Sequence, residues 1–271
     1  MAKMTQYSEA ERFDAGDILI KDGANGTKKI KVRNASYDFA GLVSSYNHRN
    51  VYRGKNLGTS ITESQMTAIS NGTFDDIFIG DYWTVNERRY VVADMDYWYN
   101  FGDEALIKHH IVLIPYRSLY SRSMNATDTT EGGYVGSNMY TTGLTQARNT
   151  IGSDFGNRII THRELLCNAV TDGKESASAW FDSTADLMTE TMVFGCNQYK
   201  SISGDQVPIH NIKQLALFGL HPNYIGRYAI WLRDIATGRS FCSVNPHGDS
   251  TFTIASAERG VLPVFAIGSN D

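Results

Sequence analysis

A chain of 271 residues is long enough for one sizeable hydrophobic core with a small appended module. Its net charge of −4 is scattered along the sequence with no basic face, which argues against a nucleic-acid partner. Three cysteines at wide spacing, Cys167, Cys196 and Cys242, fit neither a disulfide scaffold nor a thiolate zinc site and read as free thiols.

The N-terminal stretch MAKMTQYSEAERFDAGD has no apolar core of a signal peptide, and apolar runs such as Ile111-Val112-Leu113-Ile114 are too short to span a bilayer. The expectation is a protein made in a reducing cytoplasm, with no membrane partner. Further on, GDILIKDGANGTKKIKV alternates apolar and polar residues about an Asp-Gly and an Asn-Gly, a hairpin signal. Phe39, Leu42, Val43 and Tyr46 then follow at helical spacing. One hairpin and one helix bury little alone, so residues 1–58 read as a segment for oligomerisation or docking on a partner, and residues 59–271 as the main domain.

Thr62-Glu63-Ser64-Gln65 has capping-box form and opens a short helix that ends near Gly72. GDYWTVNERRYVVADMDYWY reads as strand, turn and strand with Asn86 and Glu87 at the turn, and HHIVLIPYRSLY as a buried strand stopped by Pro115. Residues 125–138 are loop, rich in Gly, Thr and Asn. TTGLTQARNTIGSDFG, THRELLCNAV, STADLMTETMVFG and NIKQLALFGLHPNYI each fit a helix, the last stopped by Pro222. From Tyr228 onward short strands return. This order argues an α+β fold in which early and late strands share a sheet.

Motifs for catalysis are missing: GxSxG, HExxH, P-loop and GxGxxG do not occur, and the cysteines with His162, His210 and His247 form no nucleophile signature. His109 and His110 start a strand and point to opposite faces, so they cannot ligate one metal together. Asp94 and Asp96 share a strand face and could hold Ca²⁺, although bonds to loop backbone explain them better. No catalytic residue, metal or cofactor is therefore assigned.

The unusual segment is 231–268. Trp231-Leu232-Arg233-Asp234 and GVLPVFAIG flank a middle that mixes Arg, Ser, Asn, Pro, His, Asp, Thr and Phe without period. Together with HRNVYRGKNLGTS, GTFDDIFIGDYWTVN, DMDYWYNFGD, TEGGYVGSNMYTT, STADLMTETMVFG and KQLALFGL, it resembles phage and prophage C-type-lectin-fold variable proteins, whose closing pattern is WLRD, a variable insert and GVRPxFAIG. The resemblance covers most of residues 48–268, and Leu262 departs from it where the pattern has Arg.

That resemblance implies a C-type-lectin-like domain, of the fold shared with formylglycine-generating enzymes, with a variable insert at 239–259 diversified by a retroelement. Carried over by position, the ligand-binding residues would be Arg239, Ser240, Cys242, Ser243, Asn245, Pro246, His247, Asp249, Ser250, Thr251, Phe252, Thr253, Ile254, Ala257 and Arg259. Adenine mutation of Asn codons ending in C cannot yield Lys, Glu, Gln, Met or Trp, and the insert holds one such residue, Glu258. The implied function is host recognition at a virion surface, with a host cell-surface protein or glycan as ligand and other virion proteins as neighbours. Relatives of this kind are often trimers, so a homo-oligomer is implied. The alternatives are a capsid or tail decoration protein without a host ligand and, less favoured, an enzyme on the same fold. A diversified surface owes nothing to the core, so the insert is expected to lack a β period while Trp231, Leu232, Phe241, Val244, Val264, Phe265 and Ile267 keep one.

Overall fold

The computed structural model describes residues 18–21, 28–31, 48–203, 213–225 and 229–270. Strands β1 (Ile18–Lys21) and β2 (Lys28–Lys31) pair antiparallel, as the Asp-Gly and Asn-Gly between them predict. The helix expected at Phe39 to Tyr46 lies outside the described residues. Residues 48–58 belong to the large domain, so its boundary falls before His48 and not at 58. His48 Nδ1 lies 2.8 Å from Phe74 O, Arg49 makes a bidentate pair with Asp94 at 2.5 and 2.8 Å, and β3 (Asn56–Gly58) joins the main sheet.

Helix α1 (Glu63–Ser70) starts at the expected capping box: Gln65 N donates to Thr62 Oγ1, and Thr62 N donates to Gln65 Oε1. Strands β4 (Tyr82–Val85) and β5 (Arg88–Met95) close on Asn86 and Glu87, whose φ of 46° and 65° suit the twist of a two-residue hairpin. The apolar run of β6 (His110–Pro115) is buried throughout, because the sheet is covered on both sides at this strand. After β7 (Tyr120–Arg122) and the loop 125–138, a single π-helical turn leads into α2 (Thr145–Phe155), which buries Ala147, Ile151 and Phe155 at helical spacing.

Beyond β8 (Ile159–Ile160), THRELLCNAV is not a helix but the strand β9 (His162–Thr171). It pairs with β10 (Lys174–Ser183) across Asp172 and Gly173, both at positive φ. Its inward alternation is carried by His162, Glu164 and Leu166, two of them polar. A hydropathy period cannot see such a strand. The stretch STADLMTETMVFG divides into β11 (Asp186–Leu187) and a short α3 (Glu190–Phe194), capped by Thr189 and ended by Gly195 in the left-handed region. Helix α4 (Ala216–Leu220) follows, and Pro222 opens a 3₁₀ turn, Pro222–Ile225.

The chain ends in β12 (Ile230–Thr237), β13 (Ser240–Val244), β14 (Ser250–Ile254), β15 (Arg259–Val261) and β16 (Pro263–Gly268). One sheet runs β11-β16-β6-β5-β4-β3 with β8 also on β16, so early and late strands do share it. The second runs β14-β13-β12-β15-β7. The fold is α+β, mostly sheet with few helices, and its cores lie on both sides of β12: Ile230 and Leu232 join the larger cluster, Trp231 and Ile235 the smaller. No described helix is long and apolar enough to cross a membrane.

His110 is fully buried between the strands, its Nδ1 2.9 Å from Lys108 O and its Nε2 accepting from Trp98 N at 3.1 Å. The first contact makes Nδ1 the protonated nitrogen, and a second proton would face the Trp98 N–H. Burial accordingly lowers its pKa to about 4. The unfolded chain takes up this proton below about 6.5 and the folded chain does not, so stability falls as the pH drops from there toward 4. Urea unfolding at pH 7 and pH 4.5 should show His110→Gln losing less stability over this interval than the parent; equal losses would remove His110 as the cause.

Candidate ligand-binding face

The insert does have a β period. Strands β13 and β14 form an antiparallel hairpin in continuous register from Ser240↔Ile254 to Val244↔Ser250, with β14 at the edge of its sheet. The expectation of an unpatterned insert is corrected by the neighbour: β13 is buried on both faces between the two cores, so its alternation is invisible in polarity.

That packing divides the fifteen insert residues. Arg239, Pro246, His247, Asp249, Phe252 and Ile254 are exposed, and Asn245, Thr251, Ala257 and Arg259 are partly so. Ser240, Cys242, Ser243, Ser250 and Thr253 are buried and do not reach a ligand surface. Each of the last three to carry a hydroxyl has an inward partner: Ser243 Oγ and Thr253 Oγ1 lie 2.9 Å apart, and Ser250 Oγ donates to Glu190 Oε1 at 2.5 Å.

Polar clamps hold the hairpin at its tip and base. Asn245 Oδ1 accepts from His247 N at 2.8 Å and Asp249 N at 3.0 Å, so this side chain shapes the tip. At the base, Asp128 from the 125–138 loop accepts from Ser256 N and Oγ at 3.2 and 2.6 Å and pairs with Arg239 at 3.0 Å. The Ser256 hydroxyl, with Arg239 behind it, holds the Asp128 carboxyl below the usual carboxylate range.

Between the clamps, Phe252 and Ile254 project from the edge strand, each 46% exposed. The ring of Tyr199, itself 42% exposed, meets Phe252 at 5.2 Å and 64°. Tyr199 is not marked by any motif; only the fold carries residues 198–200 to the hairpin, where their three N–H groups donate to the Glu190 carboxylate. The tip also borders an open cleft of about 710 Å³, whose other walls include Phe194, Gln198, Gln214 and Phe218. Exposed apolar groups beside a polar-rimmed cleft are the makeup of a contact surface.

The other sequence candidates are bound up inside the fold. Cys167 Sγ donates to Ala169 O, Cys242 is buried against Glu190, and burial pushes both thiols up, Cys167 to about 12. Cys196 is exposed, and His210 lies outside the described residues. His162 stacks on Trp98 at 3.8 Å. Asp94 and Asp96 do not form a pair: Asp94 takes Arg49 and the N–H groups of Met95 and Ala216, while Asp96 lies beyond the strand end at φ 53° and takes His109 Nδ1 and His110 N. His109 and His110 do point apart, His109 stacking on Tyr99 and His110 facing Trp98 N. No group of three metal-binding side chains occurs among the described residues. Leu262, the departure from the WLRD family pattern, is buried in the larger core.

No protein-family model, curated protein or solved structure matches this chain.

Loss of the Asp128 clamp should free the hairpin base without unfolding the domain, because the pair is at the surface. Hydrogen exchange of the Ser256 amide in Asp128→Ala should speed up roughly tenfold, the loss of one charge-assisted bond, with little change in melting temperature. An unchanged Ser256 rate would show that the hairpin base is held by other contacts.

Proposed function

We propose that this chain is a phage or prophage virion protein whose C-type-lectin-like domain displays the 239–259 hairpin to a host cell-surface protein or glycan. The observation that carries the reading is the composition of one edge. Phe252 and Ile254 stand in solvent with Tyr199 and the Pro246-His247 tip, although five of the fifteen insert positions are buried in the same hairpin. Burial of a few such side chains dominates most protein interfaces.

The motif resemblance adds the biological setting. In that setting the positions that vary are the ligand contacts, a role that leaves out the five of the fifteen that the hairpin buries. Ten of the fifteen positions reach solvent at least in part. Segment 1–58 up to His48 is assigned to docking and oligomerisation, as a trimer, where several weak sites act together through avidity. Catalysis by Cys167 or Cys242 is not part of the proposal, since burial keeps both thiols protonated.

The test is binding of the labelled full chain to host cells. Phe252→Asp combined with Ile254→Asp should weaken binding by about thirtyfold or more, the effect of losing a contact hot spot of about 2 kcal/mol, with the melting temperature preserved. Unaltered cell binding by this folded variant would overturn host recognition through the hairpin and favour particle decoration.

A further inference from the structure

A second cavity, of about 310 Å³, shares Asn223 of the Pro222–Ile225 turn with the hairpin cleft. It uses no residue of the insert. Its rim is a nearly continuous series of rings: Tyr52 to His221 at 5.0 Å, His221 to Tyr224 at 5.9 Å, and Tyr224 to Tyr116 at 6.2 Å. Tyr82 completes the wall beside Arg89.

The rim is built, not incidental. Tyr52 is tied by a parallel bridge to Ile79, and its ring lies against Gly80, at φ +82°. A Cβ on Gly80 would stand 2.3 Å from Tyr52 Cε2, so only glycine admits the ring there. Tyr116 is held by its N–H to Arg89 O at 2.8 Å.

Arg89 decides what the cavity can take. Its guanidinium carbon lies 4.0 Å from the Tyr82 ring centre and 4.9 Å from that of Tyr116, so both rings hold the planar group in place. Arg89 forms no salt bridge with a described residue, and no described carboxylate lines the cavity. The nearby acids are engaged elsewhere, Asp81 by Arg53 and Asp76 by Arg53 and Lys55. An oriented guanidinium with no ion-pair partner among the described residues offers parallel N–H donors to a carboxylate or phosphate. A cationic ligand is excluded by the same charge, despite the aromatic rim.

The body of the ligand follows from the rings. Tyrosines present apolar faces and hydroxyl tips, and burial keeps the Tyr224 hydroxyl protonated as a donor. A purely apolar body would leave these tips and Asn223 unmatched, whereas a sugar has apolar C–H faces and a hydroxyl edge. The volume suits one small ligand. We propose that this pocket binds an acidic saccharide, with Arg89 on its carboxylate or phosphate and the tyrosine rim on the ring.

Ligand-observed NMR titration of the full chain with glucuronate, glucose 6-phosphate and glucose tests this. At least one acid should bind in the millimolar range or tighter, with glucose at least about tenfold weaker, and comparison of the two acids tells carboxylate from phosphate. Arg89→Gln should cost about tenfold or more, the effect of a charge-assisted bond, and Gly80→Ala, which displaces Tyr52, should also weaken binding. The Phe252→Asp, Ile254→Asp double variant should bind the sugar acid like the parent, which separates this site from the hairpin face. Absence of binding by both acids at tens of millimolar, or equal binding by folded Arg89→Gln, would overturn the proposal.

Discussion

Two neighbouring charges on β12, Arg233 and Asp234, are both buried, and much of the fold is arranged to satisfy them. Adjacent strand residues point to opposite faces, so each charge needs its own partners. Arg233 donates to Glu164 on β9 at 2.7 Å, and Glu164 also accepts from Trp98 Nε1 at 3.0 Å. Burial works against the Glu164 carboxylate, but Arg233 and His162 outweigh it and hold its pKa down to about 2. On the other face Asp234 accepts from Glu190 N at 2.6 Å and pairs with Lys200, which reaches Glu175 on β10. Desolvating these groups is expensive, so such pairs are weak evidence of stability, but an unmatched member would cost several kcal/mol. The arrangement therefore specifies which strands and loops must meet.

Its consequence is felt at the hairpin. Glu190, whose N–H caps Asp234, turns its carboxylate to the 198–200 backbone and to Ser250. That single side chain places Tyr199 beside Phe252. With Asp128 and Arg239 at the base and Asn245 at the tip, the hairpin is held by groups that do not include Phe252 or Ile254. Phe252 and Ile254 can then change chemistry at little cost to folding, since exposed edge residues away from such contacts contribute little to stability.

The same economy distinguishes the two cavities. The cleft beside the hairpin borrows its wall from insert residues, whereas the aromatic pocket is built from the β4–β5 hairpin, the strand-like segment at Tyr52 and the turn after α4. The Pro222–Ile225 turn lines both. The two cavities coexist on one domain because they share Asn223 of that turn but no charged lining residue.

Local chemistry alone determined several parts of this protein. The Thr62 capping box, the Asn86-Glu87 turn, the apolar run of β6 and the Asp-Gly and Asn-Gly hairpin are each decided within a few residues, where backbone preference and nearest neighbours dominate. The boundary before His48 was not legible, because Arg49 finds Asp94 45 residues away. Nor was β9, whose inward positions are the polar His162 and Glu164 and make sense only opposite Trp98 and Arg233. In the insert, the sequence located the segment that reaches the surface, but whether Ser250 or Phe252 faces solvent depends on Glu190 lying behind the hairpin. Tyr199 and the Arg89 pocket carry no motif at all. Tertiary structure decided these points because burial of a polar or charged side chain is set by a distant partner, and a single sequence records the residue without recording what it meets.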